Sequence, residues 1–384
     1  MQASIPLREV LWHWGRIGVI GFGGPPAHIS LLRRLCVVNK KWLSDDYFED
    51  AIATCNLLPG PASTQLSILC AWSVAGLPGA LVGGIAFITP GLIAIIALSS
   101  VFLASSAPQW VLAAGAGASS SLAIVALHSG FTLIPASWRR TPSRPRWSVY
   151  VVAGICTAVL AGSWVVVVLI ACGVTEVLVR RVRNVSMSMA PVFALATAMN
   201  MDTVRDGITG SLVWTAFKVG ALSYGGGFVI IPLIFNDAVE RFAWMTESQF
   251  LDAVVLGQIT PGPVVHTMSA VGFAAGGISG ALVAALVAFG PSFVFVGFGA
   301  RHFDKIRLNV SIRSFLDGAG PAAIGAIIGV AIPLAVNLSE QWQFVFVALS
   351  ALVVFVVKRS TFFTLVLMAA LGVVVVQAGM SLPS

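Results

Sequence analysis

The first half of this chain is repeated in the second, and each copy is interrupted in the middle of an apolar stretch. Trp42-Leu43-Ser44-Asp45 aligns with Trp244-Met245-Thr246-Glu247, an offset of 202 residues. At the same offset Pro59-Gly60-Pro61 meets Pro261-Gly262-Pro263, Gly23-Gly24 meets Gly225-Gly226, and Arg16 meets Lys218. Such a chain must fold as two versions of one unit. Glycine- and proline-broken apolar segments at corresponding positions of two halves also mark where a membrane carrier places its binding site.

Composition identifies the solvent. Hydrophobic residues make up 58% of the chain and charged residues 10%, with a mean hydropathy of +0.94. Soluble domains carry about 25% charged residues. One membrane span takes roughly 20 residues, so 384 residues accommodate ten or more. The net charge of +7 sits in short clusters between apolar stretches, among them Arg33-Arg34, Lys40-Lys41, Arg139 to Arg146, Arg180 to Arg183 and Lys358-Arg359. That is the pattern of cytoplasmic loops, with the lipid bilayer as partner, and not a nucleic-acid signal. The five cysteines show no CxxC spacing and read as buried small side chains. No signal peptide is expected from residues 1–8.

The apolar segments run over residues 10–32, 48–75, 79–103, 109–134, 147–161 and 164–178, and again over 212–235, 250–276, 280–299, 315–336, 344–357 and 361–376. Six crossings in each half would make the halves parallel. The charges argue otherwise. With the loops at 33–41 and 139–146 both cytoplasmic, an even number of crossings must separate them, yet three segments do. A hairpin folded at Pro59-Gly60-Pro61 removes the misfit. In the second half the acidic loop with Asp237, Glu240 and Glu247 reads as external and the basic loop from Arg301 to Arg313 as internal. A hairpin at Pro261-Gly262-Pro263 reconciles these too. The expected fold is therefore an all-α polytopic membrane protein of two inverted repeats, with about ten full crossings and two re-entrant hairpins. The repeats are residues 1–183 and 207–384. A linker at 184–206 contains the apolar run 192–199, a candidate interfacial helix.

Several residues are candidates for chemistry. Arg16 and Lys218 are charges within apolar segments, a few residues before a Gly-Gly break. Charges in spans usually face a cavity or a partner, so a matched pair suits a divalent oxyanion; the competing reading is snorkelling to the interface. Gly23, Gly24, Gly225 and Gly226, with Tyr224 beside them, let backbone N–H groups approach an anion. His28 and His266 each sit next to a break, as substrate ligands, proton relays or buried structural histidines; their counterparts at an offset of 202 are Ile230 and Thr64. Asn56 and Gln258 precede the turns formed by Pro59, Gly60, Pro61 and by Pro261, Gly262, Pro263, with Ser63, Thr64 and Thr260 close by. These polar groups can replace an anion's hydration shell or satisfy freed backbone groups. Asp50 and Asp252 match across the repeat as proton-coupling candidates, or as helix N-terminal acids with Ser44 and Thr246 as N-caps. Gly115-Ala116-Gly117 reads as a helix-packing stretch. No P-loop, metal-ligand spacing or nucleophile elbow occurs in the sequence, so neither catalytic residues nor a cofactor or metal is expected and an enzyme is disfavoured.

Phe22-Gly23-Gly24-Pro25-Pro26-Ala27-His28-Ile29, Lys41-Trp42-Leu43-Ser44, Leu58-Pro59-Gly60-Pro61 and Phe87-Ile88-Thr89-Pro90-Gly91 resemble the chromate ion transporter family. A weaker version recurs in Tyr224-Gly225-Gly226-Gly227, Trp244-Met245, Gln258 to Pro263 and Pro291-Ser292. The resemblance implies a bacterial inner-membrane protein that exports chromate and confers chromate resistance, with sulfate as the similar ion. It also implies coupling to protons, as an antiporter, and site residues around the breaks. Asn56 stands where the family often has Gln, and Trp72-Ser73 where it often has an aromatic-Arg pair. A sulfate or other oxyanion carrier of the same fold and an anion channel remain the alternatives. The oligomeric state is open, a homodimer being one candidate.

Overall fold

The computed structural model describes residues 5–55, 60–104, 106–160, 164–181, 208–223, 231–299 and 309–383. Every regular element among them is helical, and four helices are long and apolar enough to cross a membrane. Large apolar side chains such as Trp12, Leu160, Leu286 and Phe298 stand exposed on the outer surface, where a soluble protein would collect aggregation liabilities and a membrane protein meets lipid. The chain is an all-α polytopic membrane protein. The linker and the 192–199 run lie outside the described residues, as does most of the 301–313 loop.

The two halves repeat each other down to local backbone detail. Helix α1 (Leu7–Ile20) is followed by α2 (Pro25–Arg33), which widens into a π-helix over Arg34–Asn39. In the second half, α9 (Ile208–Leu222) leads to α10 (Ile231–Phe235) and a π-helix over Asn236–Arg241. Both π-turns end in a left-handed residue, Lys41 and Ala243. Both are closed by a tryptophan N–H, Trp42 to Cys36 and Trp244 to Ala238, each 2.8 Å.

Next comes a short helix, α3 (Asp45–Cys55) or α11 (Glu247–Ile259). Ser44 and Thr246 cap them, accepting from the backbone N–H of Tyr47 and Gln249 at 3.2 Å. A long helix follows, α4 (Ala62–Phe102) or α12 (Thr267–Gly299). Each long helix is broken once, at Ala75-Gly76 and at Gly276-Gly277. Gly76 and Gly277 take φ near +60°, which costs glycine little and other residues much. The sequence segments 48–75 and 79–103 are thus joined across a kink rather than separated by a loop. At 1.5 Å per residue, α3 is about 17 Å long and the piece of α4 before its kink about 20 Å. Neither arm reaches the roughly 30 Å of a bilayer core, and α3 packs back on α4.

The offset is not fixed. It is 202 through the Pro-Gly-Pro turns but 201 at the kinks and at Pro90 and Pro291. Between turn and kink the second half is one residue shorter, and a 3-10 turn, Val264–His266, stands where the first half is already α-helical. The counterpart of His266 is therefore Gln65 and not Thr64.

The remaining helices exchange partners between halves. In the first half they are α5 (Gln109–Ser119), α6 (Leu122–Arg140), α7 (Arg144–Leu160) and α8 (Val165–Arg181). In the second they are α13 (Val310–Val336), α14 (Gln341–Ala351) and α15 (Thr361–Gln377). Helix α13 packs on α6, α7 and α8, while α15 packs on α5. Small residues make the close approaches, as membrane helix packing requires. A Cβ on Gly117 would stand 2.3 Å from the Met368 carbonyl, and one on Gly318 2.2 Å from that of Cys172. The Gly115-Ala116-Gly117 stretch is a packing surface as expected. On the face where α7 and α8 carry their arginines, buried Glu176 receives Arg146 and Arg180, and Arg180 reaches Asp317 of α13 at 2.6 Å. One hydrophobic core runs through both halves.

Two readings of single residues change. Asp237 is not a loop acid; it is buried in the second π-helix. Cys156 is exposed, while the other four cysteines are buried.

Candidate functional site

The breaks of the two halves meet each other. The N–H of Gly262, in the second Pro-Gly-Pro turn, donates to the carbonyl of Gly21 at 2.9 Å. The N–H of Gly60, in the first turn, donates to the carbonyl of Ser223 at 2.8 Å. Gly21 and Ser223 end α1 and α9 and are counterparts, so each half latches its turn onto the helix break of the other. Gly60 and Gly262 take φ of +111° and +99°, a region that favours glycine. The long helices close over the latches. A Cβ on Gly91 would lie 2.1 Å from the Pro261 carbonyl, and Ser292, its counterpart, brings Oγ to 3.6 Å from a Cβ on Gly60.

The junctions share a backbone and differ in side chains. At the Gly21–Gly262 junction, His28 Nε2 donates to the Gly21 carbonyl at 2.9 Å. His266 Nε2 lies 3.2 Å from a Cβ position on Gly262 and 2.7 Å from one on Gly91. Phe87 meets the His28 ring edge-on at 5.1 Å and Phe289 meets His266 at 5.0 Å. At the Gly60–Ser223 junction the equivalent of His266 is Gln65, with Nε2 2.6 Å from a Cβ position on Gly60. Both histidines, Thr64, Gln65, Ser223 and Ser292 are fully buried. Among the described residues no partner meets Nδ1 of His28, either ring nitrogen of His266, or the hydroxyls of Thr64, Ser223 and Ser292. Buried polar groups are rarely left so, and here they collect at two points of one interface.

The cations do not join this cluster. Arg16 is exposed, in an open groove on the outside of α1 with Arg8, Glu9, Trp12 and Pro90. Lys218 is buried and bound to Asp237 Oδ2 at 2.5 Å, with Thr215 donating to the same oxygen at 2.7 Å. Their surroundings share no residue. A lone arginine near a helix end can carry its charge to the interface, whereas a lysine held at mid-helix needs a carboxylate.

The first Gly-Gly break offers fewer backbone donors than a free helix start. Pro25 and Pro26 fill the first two positions of α2 and have no N–H. The N–H groups of Ala27 and His28 return to the Gly24 carbonyl. Gly23 and Gly24 are left-handed, and a Cβ on Gly24 would meet nothing within 4 Å.

Pro61 and Pro263 cap the helical stretches that follow the turns, Ser63 is buried there, and Thr260 donates to the Leu256 carbonyl at 2.8 Å. Buried Gln258 Nε2 has no partner among the described residues. Asp252 is buried, its Oδ1 2.2 Å from a Cβ position on Gly115, while Asp50 is only half-buried. Asn56, Pro59, Tyr224, Gly225 and Gly226 lie outside the described residues. No cluster of three or more His, Cys, Asp or Glu suited to a metal occurs among the described residues. In the sequence Ser223 has no assigned role, Asp237 reads only as a loop acid and Ser292 only as part of the weaker repeat motif. The drop in offset from 202 to 201, visible at Pro90 and Pro291, is the signal that pairs Ser292 with Gly91 and Gln65 with His266.

Fold and site together define a membrane protein of two interlocked, similar halves with broken helices at their contact. The chain belongs to the chromate transporter family, whose model matches residues 8–177 and 210–375. It is 31% identical over 334 residues to a chromate transport protein of Cupriavidus metallidurans, covering 86% of this chain and 82% of that one. It is 28% identical over 349 residues to a probable chromate transport protein of Synechococcus elongatus, covering 87% and 86%. An uncharacterized transporter of Methanocaldococcus jannaschii is 24% identical over 363 residues, covering 89% and 86%. No solved structure matches the chain.

Proposed function

We propose that this protein is a secondary carrier that exports chromate across a bacterial inner membrane, coupled to the proton gradient, and so confers chromate resistance. The observation that supports this best is the reciprocal latch, Gly60 on Ser223 and Gly262 on Gly21, with unpartnered buried polar atoms at both junctions. A carrier needs two similar parts that can rock about a shared site. The halves, 1–183 and 207–384 with a linker between, are inverted with respect to each other in this reading. Short hairpin arms that cannot span the membrane favour it, as does the ion-paired arginine face. The oxyanion meets the protein between the latches, at Gly60 and Pro61 with Ser63 and Thr64, and at Pro261, Gly262 and Pro263 with His28 and His266. Arg16 and Lys218 stand outside this site. Chromate enters the proposal through the names of the relatives. Cells producing the protein should survive chromate that stops cells lacking it, with sulfate uptake unchanged. Greater chromate sensitivity, or raised sulfate uptake, would contradict the reading.

A further inference from the structure

We propose that His28 and His266 form one protonatable pair that takes up a single proton together with the oxyanion, and that only one of the two cross-half junctions does so. The inference rests on the oxyanion-carrier reading above and concerns which groups supply the charge.

The two imidazoles flank one hydrogen bond. The Gly21 carbonyl accepts from Gly262 N–H and from His28 Nε2, both at 2.9 Å, and His266 stands over Gly262. A carbonyl oxygen can only accept, so His28 carries its proton on Nε2. In its neutral form His28 therefore presents a bare Nδ1, which has no partner among the described residues. His266 presents two ring nitrogens without partners there. An oxyanion brings acceptors only. A neutral imidazole can offer it one N–H and an imidazolium two.

Among the described residues no fixed charge faces the pair. Helices α4 and α12, which pack on the turn carrying His266, hold no Asp, Glu, Lys, Arg or His. Helix α11 holds Glu247, bonded to Asn337, and Asp252, which faces Gly115. On α2, Arg33 is spent on Asp45 and Glu49. On α1, Arg8 and Arg16 line the outer groove, Glu9 pairs with Lys40, and His13 lies against Trp42. Among the described residues a dianion buried here has only the imidazoles to compensate it, and an uncompensated buried charge is prohibitive. Adjacent like charges oppose double protonation, so the pair titrates as a unit.

The other junction cannot titrate in this way. Gln65 replaces His266, Ser292 replaces Gly91, and the position matching His28 in sequence is Ile230. The protein thus contains its own neutral comparison.

The sign of coupling follows. A proton on the pair strengthens anion binding, and by reciprocity the anion strengthens proton binding. Proton and dianion then travel in the same direction as one net negative charge, which an inside-negative membrane potential expels. This is the opposite of the proton antiport that family resemblance suggests.

The test is equilibrium binding of radiolabelled chromate to the full-length protein in lipid nanodiscs, between about pH 5 and 8 where histidine titrates. Wild type is compared with His266→Gln and His28→Gln. Chromate's own protonation is common to all three and cancels in the comparison. The wild-type dissociation constant should rise with pH more steeply than that of either variant, by up to about tenfold per pH unit for one coupled proton. His266→Gln copies a side chain the other junction already uses, and if it fails to fold, His28→Gln decides alone. Equal slopes in wild type and a folded variant that binds chromate would overturn the pair. Absence of chromate binding by wild type would instead overturn the oxyanion reading on which the pair rests.

Discussion

The two cations at matched positions of the repeat, buried Lys218 and exposed Arg16, have different fates, each set by what lies within reach. Lys218 is held by Asp237, with Thr215 on the same carboxylate oxygen. Replacing Asp237 with Asn leaves a buried ammonium without its counter-ion, which should cost about 3–5 kcal/mol. Thermal unfolding in detergent should show the loss, and the double substitution Lys218→Met with Asp237→Leu should recover much of it. An Asp237→Asn protein as stable as wild type would mean that the pair is exposed to water. Arg16 faces outward, so Arg16→Ala should leave chromate transport within about twofold, as is usual for surface positions. Abolished transport in folded Arg16→Ala protein would restore the cation to the site. The sequence shows Arg16 and Lys218 as one matched pair because spacing records the backbone. It does not record that Asp237, which reads as an external loop acid, folds back on a π-turn beside Lys218.

At the scale of elements, the broken helices were largely legible. The Gly-Gly and Pro-Gly-Pro positions forecast where α1, α3, α9 and α11 end, because neither a positive φ nor a missing N–H can be hidden in a pattern. The segment ends at 75 and 276 mark the breaks at Gly76 and Gly277, but as loops between segments; only the structure shows each to be a kink within one helix, with its glycine at positive φ. The latches were also invisible, being contacts between distant segments. They bring Gly91 so close to the Pro261 carbonyl that Gly91→Val must push the halves apart at one junction. Overpacking costs about 1–3 kcal/mol, and transport should fall while the protein remains folded. Gly117→Val should weaken the α5–α15 contact by a similar amount without touching the latches. Thermal unfolding and transport measured side by side separate the two: Gly117→Val should lose stability and keep transport per folded molecule. Equal loss of transport in both variants would contradict a specific role for the latch.

For the whole molecule, the repeat is the source of the architecture and its imperfections are the source of function. One residue fewer in the second half, at the 3-10 turn Val264–His266, shifts the register and places a histidine where the first half has Gln65. Two nearly equal halves then carry one titratable junction and one neutral one. The inverted arrangement makes its own prediction. Single cysteines placed at the outer ends of α3 and α11, at Asp46 and Ser248, should react with a membrane-impermeant maleimide from opposite sides of the membrane; labelling of both from one side would mean parallel halves. The central claim, that this protein moves chromate with protons, is tested most directly by flux. Purified protein in liposomes, given radiolabelled chromate and an imposed pH gradient, should take up chromate saturably, faster when the outside is acid, with sulfate competing where it binds. Uptake no greater than in protein-free liposomes, or uptake indifferent to the gradient, would contradict the account.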